Sequence, residues 1–135
     1  MKRLQNKTAI ITGGGKGIGF GLAKAFAKEG ANLVLTGRTE ETFLQAKKEL
    51  ASAYGICVLP VTADGAKEEA VKNAVQQTVE KFGGIDILIN NAQTSKSGTP
   101  LAEHSKEDFD LAIGSGLYAT FFYMREAFPY LKESK

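Results

Sequence analysis

Ala9-Ile10-Ile11-Thr12-Gly13-Gly14-Gly15-Lys16-Gly17-Ile18-Gly19-Phe20 reads as a strand that hands over to a helix through a glycine-rich turn. An apolar run precedes the glycines, and the residues from Phe20 to Ala27 space their apolar side chains at the helical period. Glycine lets the backbone turn sharply and approach a ligand closely, while the free N–H groups and positive dipole end of the next helix attract an anion. The turn therefore reads as a pyrophosphate cradle, with plain loop punctuation as the alternative. The strict G-x-G-x-x-G spacing is absent, because position 20 is Phe. The order needed for a triphosphate loop also fails, since Lys16 is followed by Gly17.

Working outward, strand-length apolar runs alternate with helical patterns. Thr8–Thr12, Asn32–Thr36, Ile56–Thr62 and Ile85–Asn90 are predicted strands. Ile18–Glu29, Thr39–Tyr54, Lys67–Phe82 and a stretch from about Ser105 to Lys132 are predicted helices. Gly30, Gly55 and Gly83-Gly84 follow the first three helices, as C-terminal caps do. Strands apolar on both faces and separated by helices imply an α/β, Rossmann-like, doubly wound parallel sheet with helices on both faces. The 135 residues are read as one domain, 1–135, that ends after the fourth strand–helix unit.

Composition narrows the partners. Seventeen Lys and Arg against fifteen Asp and Glu give a net charge of +2 without blocks of either sign, which argues against a nucleic-acid surface. No run approaches a membrane span, and the N-terminus has no apolar leader, so a cytoplasmic protein is expected. Cys57, the single cysteine, lies in the run Ile56–Leu59 and is expected to be a buried small hydrophobe. The last helix carries an apolar stripe of Phe109, Ile113, Leu117, Phe121, Met124 and Phe128, expected to face the core. Phe122 and Tyr123 add bulk on its other sides, so it is expected to contact either a larger domain or a second subunit.

The end of the second strand decides which ribose a dinucleotide site accepts, because a carboxylate there bonds the 2′-hydroxyl and repels a 2′-phosphate. Here the strand runs into Gly37-Arg38-Thr39, with no acid at that point. Arg38 can form paired bonds to a phosphate, and Lys16 can add a second positive charge. Together they favour NADP(H) over NAD(H), the bland alternative being two solvated surface cations.

The pattern Thr12-Gly13-x-x-x-Gly17-Ile18-Gly19 resembles the cofactor loop of the short-chain dehydrogenase/reductase family. Two later marks extend the likeness. Asp64, in Thr62-Ala63-Asp64-Gly65, stands where that family commonly carries an acceptor for the adenine amino group; the generic reading is a helix cap. Asn90-Asn91-Ala92-Gln93 resembles the family's Asn-Asn-Ala-Gly, in which an Asn ties neighbouring strands and the backbone passes the adenine ribose; the generic reading is a turn, and Gln93 replaces the usual Gly. The expected cofactor residues are thus Thr12, Gly13, Gly15, Lys16, Gly17, Ile18, Gly19, Arg38, Asp64, Asn90 and Ala92.

The resemblance also implies a catalytic Tyr tuned by a Lys four residues later, a Ser, and a relay Asn. Residues four after Tyr54, Tyr118, Tyr123 and Tyr130 are Val58, Phe122, Ala127 and Ser134, so no Tyr-x-x-x-Lys occurs. Gly116 falls where the relay Asn belongs, and His104 reads as a surface residue. No catalytic residue is assigned, and the chain is expected to be inactive alone. It corresponds to the cofactor half of an oxidoreductase that moves hydride between a nicotinamide and a carbonyl or alcohol. The alternative is a non-catalytic dinucleotide-binding or regulatory module. A methyltransferase would want an acid where Arg38 stands. The family order 3-2-1-4 would leave the fourth strand as an unpaired edge, so self-association or dependence on further chain is expected.

Overall fold

The computed structural model describes residues 1–135. Four parallel strands, β1 (Thr8–Thr12), β2 (Asn32–Gly37), β3 (Val58–Thr62) and β4 (Ile87–Ile89), lie in the order β3-β2-β1-β4. Pairing runs Thr8 to Asn32 through Thr12 to Thr36 on one side of β1, and Ala9 to Ile87 through Ile11 to Ile89 on the other. The direction of winding reverses between β1 and β4, which opens a crevice at their carboxyl ends.

Alternation along the central strands divides the core in two. Ala9, Ile11, Leu33 and Leu35 face α1 (Gly17–Lys28) and α2 (Glu40–Tyr54), packing against Ala23, Ala27, Phe43 and Leu50. Ile10 and Val34 face the other way, onto Val71 and Val75 of α3 (Glu68–Phe82) and Tyr123 and Ala127 of α5 (Ala119–Glu133). Full burial of a side chain such as Phe43 contributes about 1.5–3 kcal/mol. Gly55 and Gly83 end α2 and α3 in the left-handed conformation, as their place in the sequence implies. No helix is long and apolar enough to cross a membrane.

Three expectations need correction. The single long final helix is α4 (Lys106–Ala112), a π-helical turn (Ile113–Tyr118) and α5 in succession. Gly114 and Gly116 within that turn weaken the regular ladder, and Ser115 takes the Leu111 carbonyl with its hydroxyl at 2.7 Å.

The apolar stripe of that helix does not face the core. Phe109, Leu117, Phe121, Met124 and Phe128 are 52–66% exposed, while Ala119, Tyr123 and Ala127 are buried. Close approach bears on this: a Cβ added to Gly65 would lie 2.7 Å from the Ala119 Cβ, so α5 meets the loop after β3 closely at Ala119, with the Tyr123 ring beside it.

Cys57 is exposed rather than buried. β3 begins one residue later, and Cys57 is held by its main chain, its N–H donating to Asn32 Oδ1 at 3.1 Å and its carbonyl accepting from the Leu33 N–H at 2.9 Å.

Candidate dinucleotide site

A cavity of about 350 Å³ opens over the carboxyl ends of the strands. Thr12, Gly13, Gly15, Lys16, Gly17 and Ile18 from the glycine turn line it, together with Arg38 after β2, Asp64 after β3 and Ala92 after β4. Of the residues expected in the site, Gly19 and Asn90 do not line it. Gly19 acts from beneath: a Cβ there would sit 2.2 Å from the Gly13 carbonyl oxygen, so the start of α1 can lie against the turn only with glycine at this position.

Thr12 is the hub that fixes the turn to β4. Its Oγ1 accepts from the N–H groups of Asn91, at 3.0 Å, and Ala92, at 2.9 Å. In return Asn91 Nδ2 donates to the carbonyls of Thr12, at 3.1 Å, and Gly13, at 3.3 Å. The Asn that ties the strands is therefore Asn91, while Asn90 is exposed. The period-two alternation leaving β4 explains it, since consecutive side chains point to opposite faces. That alternation was the signal available in the sequence.

The electrostatics suit an anion. The first turns of α2, α3 and α4 each hold two acids, but that of α1 holds none, and no side chain caps it. Its dipole end and free N–H groups are thus open toward the cavity. Lys16 and Arg38 pair with no carboxylate. Arg38 Nη2 instead donates to Thr94 Oγ1 at 2.9 Å. Asp64 closes a tight turn, its Oδ1 accepting from the Ala66 N–H at 3.0 Å; the helix cap that follows is Lys67.

The sequence reading gave no place in the cofactor site to Thr94 or Ser115, which line the inner wall with Tyr123. Ser115 Oγ accepts from the Thr94 N–H at 2.8 Å and lies 2.9 Å from the Thr94 carbonyl, locking the loop after β4 to the π-turn. Tyr123 is 1% exposed, and that burial pushes its phenol above the usual value although its hydroxyl bonds Thr36. It stays protonated at neutral pH and cannot serve as a base.

The two departures from the family pattern touch one another. A Cβ on Gly116 would come 3.2 Å from Gln93 Cγ, so Gln93 occupies room that a side chain at 116 would need. His104 takes no part in the cavity; its Nε2 lies 3.0 Å from the Thr99 carbonyl.

The parts present fit a dinucleotide. The glycine turn leaves backbone exposed where side chains would otherwise block it, an uncompensated helix start faces the same space, and two free cations flank it.

A family model described as short chain dehydrogenase matches residues 7–135. The 12alpha-hydroxysteroid dehydrogenase of a Clostridium species is 61% identical over 96% of this chain and 52% of its own length. L-Sorbose reductase from Gluconobacter frateurii, solved with NADPH and L-sorbose, superposes with a TM-score of 0.91 at 34% identity, over 98% of this chain and 51% of that one. The 3-ketoacyl-(acyl-carrier-protein) reductase from Brucella melitensis, solved with NADH, gives 0.89 at 36% identity, over 96% and 52%. The chain spans about half the length of these relatives.

Proposed function

The chain belongs to the short-chain dehydrogenase/reductase family, and on that premise we propose that it is the NADP(H)-binding part of an oxidoreductase acting on a carbonyl or alcohol. The observation that carries the cofactor choice is the pair Arg38 and Lys16, both lining the cavity, neither paired with an acid, at the place where a carboxylate would select NAD(H). Backbone N–H groups from Gly15 to Gly19 would hold the pyrophosphate, Arg38 and Lys16 the 2′-phosphate, Asp64 the adenine amino group and the Ala92 backbone the adenine ribose. When bound, the nicotinamide supplies the hydride chemistry.

This chain's own residues bind and orient. No tyrosine here carries the partnered lysine that would lower its pKa, and Tyr123 is pushed the opposite way by burial. Proton transfer to a substrate therefore belongs to residues of a longer form, and the chain alone is inactive in turnover. The identity with the 12alpha-hydroxysteroid dehydrogenase favours a hydroxysteroid as the alcohol in that longer form. A second reading, a binding module without catalysis, is favoured by Gly116 in place of the relay Asn.

The β4 edge, which pairs only with β1, and the exposed face of Leu117, Phe121, Met124 and Phe128 give the chain its partner surface. The reading takes a second copy as the occupant.

The adenine half can be tested by itself. In equilibrium dialysis, 2′,5′-ADP is expected to bind more tightly than 5′-ADP by about ten- to a hundredfold, as charge-assisted bonds to one phosphate provide. Equal retention of the two would remove the NADP(H) preference.

A further inference from the structure

We infer that Arg38 and Thr94 form a latch across the dinucleotide cleft, which an incoming cofactor has to open. The inference rests on the dinucleotide reading and adds to it an affinity-determining residue, Thr94. β2 and β4 lie on opposite sides of β1 in the sheet. Arg38 follows β2 and Thr94 follows β4, so the 2.9 Å bond from Arg38 Nη2 to Thr94 Oγ1 crosses over the carboxyl end of β1. That end leads directly into the glycine turn, and both partners line the same cavity as Gly13 and Gly15. A dinucleotide lying at this switch point must pass where the bond now runs.

One side of the latch is fixed and the other is an arm. Thr94 is held at its backbone by Ser115, whose Oγ accepts from the Thr94 N–H at 2.8 Å. Ser115 itself belongs to the π-turn, whose geometry often marks functional positions. Arg38, by contrast, is exposed and has no carboxylate partner to hold it elsewhere. Opening costs both nicotinamide cofactors the same bond. Only a 2′-phosphate gives Arg38 a replacement, so NADPH recovers the loss and NADH does not.

Titrations of the 135-residue chain with NADPH and with NADH, followed by cofactor fluorescence, test this on the wild type, Thr94→Val, Thr94→Ser, Arg38→Ala and the Arg38→Ala/Thr94→Val pair. Thr94→Val keeps shape and backbone bonds while removing the acceptor. It is expected to tighten both cofactors by about two- to tenfold, with the NADPH/NADH ratio unchanged. Thr94→Ser is expected to bind like wild type, and Thr94→Val to have no effect once Arg38 is Ala. If circular dichroism shows that the valine variant misfolds, Thr94→Ala carries the same expectations. Unchanged or weaker binding in the variant that lacks the hydroxyl, with saturable wild-type binding, overturns the latch alone. No saturable binding in any variant overturns the dinucleotide reading and the latch with it.

Discussion

The hydroxyl of Tyr123 lies 3.2 Å from Thr36 Oγ1, joining α5 to β2 beneath the cavity. Both residues are buried, at 1% and 2% exposure, so neither hydroxyl can turn to solvent for a substitute partner. Tyr123→Phe keeps the packing but strands the Thr36 hydroxyl. A loss of about 1–3 kcal/mol is expected in urea unfolding. The phenol also adds an alkaline dependence. Burial raises its pKa in the folded state, so above the ordinary value near 10 the unfolded chain releases its proton first. Stability contributed by the neutral phenol is complete below that value and falls as pH rises toward the folded one. Tyr123→Phe should flatten this decline; an unchanged slope would show that Tyr123 does not cause it.

Gly19→Ala and Gly21→Ala form a matched pair within α1. A Cβ at Gly19 meets the Gly13 carbonyl oxygen at 2.2 Å, whereas one at Gly21 meets nothing within 4 Å. The first substitution is expected to cost about 1–3 kcal/mol and to weaken cofactor binding, because the turn must move. The second is expected to stabilise by about 0.5–1 kcal/mol through helix propensity alone. Thermal melts of the two proteins check the sign of each change.

Asp86, just before β4, sets an acid limit. Partial burial raises its pKa, but hydrogen bonds from the Ser134 hydroxyl and the Thr8 N–H, with Lys7 beside it, outweigh that effect and hold the carboxyl below its usual range. A lowered folded pKa means stability that is present above the unfolded value, near 3.9, and lost as pH falls through the folded one. Asp86→Asn should therefore be less stable than wild type at pH 7 and should converge with it on acidification. A difference that persists undiminished below both pKa values would assign the effect to packing.

The strand order and both helix layers were legible because β1 and β2 carry consecutive apolar residues at Ala9–Ile11 and Leu33–Leu35, which only a sheet covered on both faces can bury. The glycine turn was legible because its spacing carries a steric requirement. What α5 buries was not. Phe121, Met124 and Phe128 follow the helical period as well as Ala119, Tyr123 and Ala127 do, and hydropathy favours the larger set. The close approach at Gly65 bears on the choice, and it is a long-range contact that periodicity does not encode. Thr94 was missed for a similar reason: its role depends on Arg38 reaching across β1, and the two lie far apart in sequence. Asn91 was within reach of sequence reasoning, given where β4 ends.

The exposed aromatic face makes a solution prediction. With Phe121, Met124 and Phe128 all more than half exposed, the chain is expected to self-associate in sedimentation equilibrium, with weight-average mass rising with concentration. Phe121→Asp with Phe128→Asp should return it toward the monomer. A wild-type monomer at high concentration would remove the second copy from the account.

The central claim is that these residues build a site for NADP(H), and a parallel titration of wild type and Arg38→Ala with NADPH and NADH tests it most directly. Saturable binding that favours NADPH is expected in the wild type. Arg38→Ala is expected to lose about ten- to a hundredfold in NADPH affinity, with no loss for NADH. Equal binding of the two cofactors, or an Arg38→Ala variant that still prefers NADPH undiminished, would contradict it.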